Sequence, residues 1–232
     1  YEIADRDWSS DVCSSDLEMV LSVDAFPKEM AEIGRNPETR ALLRSIVEAA
    51  ASDDVEKAVG LLLQARADDS ISRLRRITAA LKAQALGPML ADEMAGSGEK
   101  LVVMCWHTET IDTLESALSA FNPVRIDGRV QTRDRIAAVD AFQNEPEVRV
   151  FLGQIQAAGT GITLTAASHL VFAEMSWTPG DNAQAAMRVH RVGQRRPVLI
   201  RYATLAGTID EAVVRTLRRK TQDIRTTLEA SA

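Results

Sequence analysis

The sequence predicts an α/β protein: a parallel sheet flanked by helices and preceded by a helical segment. Three observations predict it. Up to Gly98 the apolar residues recur at helical spacing, and after Gly98 short β-rich runs alternate with helical ones. Hydrophobic residues make up 46% of the 232, enough for a packed core. Strands separated by helical segments pair in parallel and need cover on both faces.

The chain opens on Tyr1, and residues 7–17, DWSSDVCSSDL, resemble translated sequencing-adapter sequence. Residues 1–20 are therefore set aside, either as adapter-derived or as a disordered polar stretch. Residues 21–98 read as the helical segment. Asn36-Pro37 starts a helix at Glu38 that carries Leu42, Leu43, Ile46 and Val47 on one stripe. Ser52 is the expected cap of a second, with Val55, Val59, Leu62 and Leu63. Ile71, Leu74, Ile77 and Leu81 mark a third, and Gly96-Ser97-Gly98 closes the segment.

Residues 99–232 form the α/β part. Strands are expected at Leu101–Cys105, Val124–Ile126, Val148–Leu152, Leu170–Ala173 and Val198–Ala203. Helices are expected at Thr108–Ala120 and Thr132–Gln143. A last helix opens with the capping-box pattern Thr208-Ile209-Asp210-Glu211 and carries Val213 and Leu217 on its apolar side.

Composition excludes several classes. No apolar run approaches the ~18 residues of a membrane span. Cys13 and Cys105 stand far apart without metal-ligand spacing, which argues against a disulfide scaffold or a zinc site and for a reducing cytoplasm. The net charge of −6 splits unevenly: residues 1–99 carry −8 and residues 100–232 carry +2. Between Gln184 and Lys220 nine cations face only Asp210 and Glu211. That bias suits either a phosphate-bearing partner or, at residues 215–220, a solvated helix face.

The chemistry concentrates in residues 151–197. Pro179-Gly180-Asp181 starts a helix, and Gln184, Arg188 and Arg191 follow at i, i+4 and i+7. At about 100° per residue the three would share one face. Two guanidiniums and an amide are poor core material, but their planar donors match phosphate oxygens. Gly159-Thr160-Gly161 follows a strand, as either a phosphate-approaching loop or a plain βα turn.

These pieces together resemble the C-terminal RecA-like lobe of superfamily 2 helicase-like ATPases, in their Swi/Snf branch. Gln184-Ala-Ala-Met-Arg188-Val-His-Arg191-Val-Gly193-Gln194 is similar to motif VI, with its HRxGQ ending. Ala158–Leu164 is similar to motif V, and Ser176-Trp177-Thr178-Pro179-Gly180 to the SWNPG-type link. Arg125-Ile126-Asp127-Gly128, with Arg135 and Phe142, resembles motif IVa, and Lys100–His107 stands where motif IV belongs. The phrase Phe172–Gly180 is most like the annealing-helicase branch. Met187 and Glu174 depart from the common pattern, where many relatives have an acidic residue and Asp.

The resemblance implies an ATP-dependent translocase on double-stranded or branched DNA, cytoplasmic (nucleoid-associated in a bacterium) or nuclear in a eukaryote. It implies Arg191 as the arginine finger, Arg188 as its partner on the phosphates and Gln184 as the link to lobe closure. Gly159 and Gly161 would line the nucleotide, and His107, Arg125, Gly128 and Thr163 would touch DNA. Trp177 either buttresses the ATP-facing loop or serves as a core aromatic. The cofactor implied is ATP with Mg²⁺. No GxxxxGK-S/T occurs, and Asp92-Glu93-Met94-Ala95 closes a helical pattern rather than a strand. The Walker lysine and the Mg²⁺ ligands are therefore expected on a separate N-terminal RecA-like lobe, without which this one is inactive. The alternative is a non-catalytic RecA-like module that binds DNA or protein.

Overall fold

A computed structural model describes residues 13–23, 26–158 and 161–229. Four helices come first: α1 (Lys28–Ile33), α2 (Pro37–Ala51), α3 (Val55–Ala65) and α4 (Asp69–Gly96). Asn36 caps α2 by accepting from the backbone N–H groups of Glu38 and Thr39, with Pro37 at the first helical position. The expected cap Ser52 ends α2 instead. Asp53 turns the chain at φ 62°, and Asp54 caps α3 by accepting from Lys57 N–H at 3.2 Å. Helix α4 continues past Leu81 and contains Pro88, because Leu86, Leu90 and Met94 keep one buried stripe.

Six strands follow the expected pattern with one addition. They are β1 (Cys13–Leu21), β2 (Leu101–Cys105), β3 (Val124–Ile126), β4 (Val150–Gln154), β5 (His169–Phe172) and β6 (Val198–Leu205). Their order is β1-β6-β5-β2-β4-β3, and every pairing is parallel. Strand β1 falls within residues set aside as adapter-derived or disordered. Cys13–Leu21 lies along β6, with Leu17 opposite Arg201 and Leu21 opposite Leu205. The edge of β6 offers unpaired backbone groups, and this mixed polar and apolar segment satisfies them while burying Leu21. Residues 1–12 lie outside the described residues.

The connecting helices are α5 (Thr108–Ala117), α6 (Thr132–Asn144), α7 (Ile155–Ala158), α8 (Pro179–Ala186) and α9 (Asp210–Glu229). Side chains of β2 alternate between two cores. Leu101, Val103 and Cys105 pack with Leu86, Leu90, Ile111 and Leu114 of α4 and α5. Val102 and Met104 share the opposite core with Phe142, Val189 and Leu217. Ile46, Leu62, Ala65 and Ile71 of the helical segment belong to that second core too. A Cβ on Gly87 would lie 2.7 Å from the Ala117 Cβ, so glycine sets how closely α4 crosses α5. The C-terminal ends of β2, β3, β4 and β5 leave one edge of the sheet open to polar loops, the usual place for ligands in open parallel sheets.

Candidate functional site

Two loops are stitched into one unit beside α8. The helix stops at Ala186 and the chain continues as tight turns to Gly193. Gln184, Arg188 and Arg191 therefore do not share one helical face, contrary to the spacing argument. The reason is a contact across the fold: the Arg188 carbonyl accepts from Leu164 N–H at 2.8 Å, pinning the turn to residues 161–168. Gln194, buried, donates from Nε2 to the carbonyls of Ala167 (2.7 Å), Thr165 and Val189 (3.3 Å each). Its Oε1 accepts from the backbone N–H groups of Arg195 and Arg196. Gly193 adopts φ 104°, which only glycine takes without strain.

Arg191 is exposed, and its guanidinium donates to the Ile162 carbonyl (3.3 Å) and Thr163 Oγ1 (3.2 Å). Arg188 is half-buried, and burial first and the Arg191 charge second push its guanidinium below the ordinary arginine value. Gly161, exposed at φ 74°, opens the same loop, and Gln184 is exposed on α8. Gly159 lies outside the described residues. The structure thus joins Thr163, expected to touch DNA, to Arg191, expected to touch ATP.

The other expected DNA contacts sit on the sheet edge, linked by hydrogen bonds. Glu174, just beyond β5, is buried and accepts from the backbone N–H groups of Trp106 (3.1 Å) and His107 (3.0 Å) just beyond β2. His107 Nδ1 lies 2.6 Å from its other oxygen. Burial alone would push the Glu174 carboxyl up; the His107 contacts and the charge of Lys82 outweigh this and hold it at about 2. Gln154, ending β4, donates to the Trp106 carbonyl (3.1 Å) and accepts from Gly128 N–H (3.0 Å) beyond β3. Four strand ends are thereby tied in a row.

Arg125 is committed within the protein. It donates to Asp112 (2.9 Å), Glu115 (2.6 Å) and Asp127, and Arg129 reinforces Asp112 and Asp127. Burial would raise the Asp127 carboxyl, but the bonds from Arg129 and Arg125 hold it at about 2. Arg135 donates to the carbonyls of Val130, Asp127 and Ala157, a structural role.

Sequence reasoning missed the side chains that assemble these parts. Glu174 stood out only as a departure from Asp, although a carboxylate closing an apolar run was a usable signal. Arg75 of α4 lies between the rings of Trp106 (4.6 Å to the centroid) and Trp177 (4.8 Å). It donates to the Met175 carbonyl at 2.5 Å, and burial pushes its guanidinium down to about 10. Lys82, buried in α4, donates to the Ala203 carbonyl (3.1 Å) and pairs with Asp210 at 3.0 Å. A cavity of about 40 Å³ between these charges has room for water but not for a nucleotide.

The basic run after Gln184 is not one phosphate surface. Carboxylates from earlier in the chain meet it: Glu99 on Arg196, Glu93 on Arg201 at 2.7 Å, Asp53 on Arg219, and Glu56 on Lys220. Glu93 comes from the DEMA string, which ends α4 and serves as an ion-pair partner.

Comparison with known proteins fits this geometry. Residues 81–193 match the helicase conserved C-terminal domain. The DNA annealing helicase and endonuclease ZRANB3 of Mus musculus is 39% identical over 160 residues, which are 68% of this chain and 15% of that protein. The SWI/SNF-related matrix-associated actin-dependent regulator of chromatin subfamily A-like protein 1 of Drosophila melanogaster is 37% identical over 124 residues, 53% of this chain and 16% of that protein. The chain thus spans about a sixth of these curated relatives. In fold it is similar to the C-terminal part of the Fun30 ATPase domain, with a TM-score of 0.61, 17% identity, and coverage of 93% of this chain and 99% of that one. The Sulfolobus solfataricus SWI2/SNF2 ATPase core in complex with dsDNA aligns with a TM-score of 0.56 and 20% identity, over 93% of this chain and 46% of that one.

Proposed function

The chain belongs to the helicase C-terminal domains of Swi/Snf type, and from that premise we propose that it is the second half of an ATP-driven motor on double-stranded DNA. Its part is to bring Arg188 and Arg191 to the γ-phosphate of ATP held on a P-loop lobe. The observation that carries this reading is the stitched pair of loops. They hold two guanidiniums side by side, with the Arg188 group pushed down by burial and by its neighbour's charge. A triphosphate presents oxygens that match the planar donors of both.

ATP supplies the phosphoryl group, and its Mg²⁺ would be held by carboxylates of the P-loop lobe. The residues here stabilise charge. Arg191 presents a planar fork to the phosphoryl oxygens, where charge accumulates in the transition state. Arg188 is held by its own backbone bond to Leu164 and neutralises the same phosphates. Gln184 would meet the opposing lobe and report closure. Thr163 and His107 are the DNA contacts best supported by position, through phosphates rather than bases. Arg125 and Gly128 have donors engaged internally, so they shape the edge instead.

The test is phosphate release with saturating duplex DNA. The chain alone should show none above background. Joined to a compatible P-loop lobe, it should give DNA-stimulated turnover. DNA-stimulated turnover by the chain alone, surviving rigorous purification, would overturn the two-lobe reading; a joined enzyme that binds DNA without turnover would favour a non-catalytic module.

A further inference from the structure

The helical segment reaches both halves of the proposed site through one side chain. The Arg75 guanidinium lies over the rings of both Trp106 and Trp177, 4.6 and 4.8 Å from their centroids. Trp106 adjoins His107 at the strand end, and its backbone is bonded to Glu174 and Gln154. Trp177 lies in the linker that feeds α8 and, beyond it, Arg188 and Arg191. Arg75 also bonds the linker backbone at Met175, and Arg66 of the same segment donates to Thr178 Oγ1 at 3.1 Å.

We propose that Arg75 is a positioning residue that holds the His107 strand end and the Trp177 linker in one register, so that DNA at the sheet edge is felt at the arginine-bearing turn. The inference rests on the DNA-binding reading above. A methionine or leucine could fill this volume without the desolvation that burying a guanidinium costs. What arginine adds is a rigid plane that two rings can grip at once and a donor that fixes the linker carbonyl. Glu174 ties the same strand end to the start of the linker, and Arg75 adds the side-chain link between the two rings. The helical segment thereby gains a role: it couples the two loop systems as well as covering the core.

The experiment uses the chain with Trp8→Phe and Trp106→Phe, which keeps an aromatic ring beside Arg75 and leaves Trp177 as the single indole, and is run in parallel on the Trp8→Phe chain, which keeps both indoles. A labelled duplex of arbitrary sequence is titrated at low salt, with anisotropy reporting binding and indole emission reporting Trp177. Emission should change with the same midpoint as anisotropy. Arg75→Met should bind the duplex with affinity close to the parent's while losing most of the emission change. Arg75→Lys keeps a cation but not the plane, and should retain part of it; that variant decides the matter if the methionine protein fails to fold by circular dichroism. An equal emission change without the guanidinium would overturn the inference alone, as would an unresponsive Trp177 in the Arg75 protein with duplex bound. Failure of the parent to bind any duplex would overturn the DNA-binding reading, and this inference with it.

Discussion

Two sets of arginines sit close in the sequence and do opposite things. Arg201 on β6 and Arg219 on α9, together with Lys220, meet carboxylates supplied by the acidic first 99 residues: Glu93, Asp53 and Glu56. Arg191, in the turn after α8, is held instead by the Ile162 carbonyl and Thr163 Oγ1, and burial first and its charge second push the Arg188 guanidinium below the ordinary value. A cation matched by a carboxylate is part of the fold's own charge balance. A guanidinium fastened by a carbonyl and a hydroxyl, as that of Arg191 is, keeps its charge for a visitor. Counting basic residues along the chain merges the two sets; asking what each guanidinium touches separates them.

The largest effect that could break this contrast is on turnover. In the joined two-lobe enzyme, Arg191→Ala should lower kcat by ~10²–10⁵, since transition-state charge loses its main donor on this side. Arg191→Lys should rescue poorly, because an ammonium lacks the planar fork. DNA affinity without nucleotide should stay near the parent's. Near-normal kcat, or a defect confined to DNA binding, would contradict the assignment.

A buried matched cation should matter to stability instead. Lys82→Met leaves Asp210 without its partner, which costs roughly 3–5 kcal/mol in a buried pair. Urea unfolding measures this, and Lys82→Met combined with Asp210→Asn should recover part of the loss.

Glu174 adds a pH signature. Its folded-state carboxyl, at about 2, lies below the ordinary 4.5. Its contribution is therefore present above that ordinary value and lost as pH falls from about 5 toward 2, for a total near 3 kcal/mol. The stability difference between parent and Glu174→Gln should be greatest near pH 6 and shrink toward pH 2. A difference independent of pH would mean the carboxylate is not held by His107 and its neighbours.

The smallest effect belongs to the exposed matched set. Arg219→Ala and Lys220→Ala should leave both the urea midpoint and ATP turnover indistinguishable from the parent, as exposed ion pairs do. A large loss of DNA-stimulated turnover in either would move the phosphate surface to α9.

Much of the sheet was legible because its strands are short apolar runs bounded by helices: Leu101–Cys105 and Val124–Ile126 form as the pattern dictates. Strand β1 was not, since nothing local marks residues 13–21 as the partner of a strand nearly two hundred positions away. The spacing of Gln184, Arg188 and Arg191 suggested one shared helical face, and their geometry is different. The helix ends at Ala186 because the Arg188 carbonyl is claimed by Leu164, a contact across the fold. Arg125 looked like a phosphate ligand because its partners Asp112 and Glu115 lie on another element, one helical turn apart. Long-range charge pairing is what periodicity cannot see.

The measurement that bears most directly on the contrast is an NMR titration of the chain's ¹⁵N-labelled arginine Nε–Hε groups with inorganic triphosphate at moderate salt. The Arg188 and Arg191 signals should shift together along one binding curve, while those of Arg201 and Arg219 stay in place. Shifts centred on Arg215–Arg219, or spread evenly over all the arginines, would contradict the account.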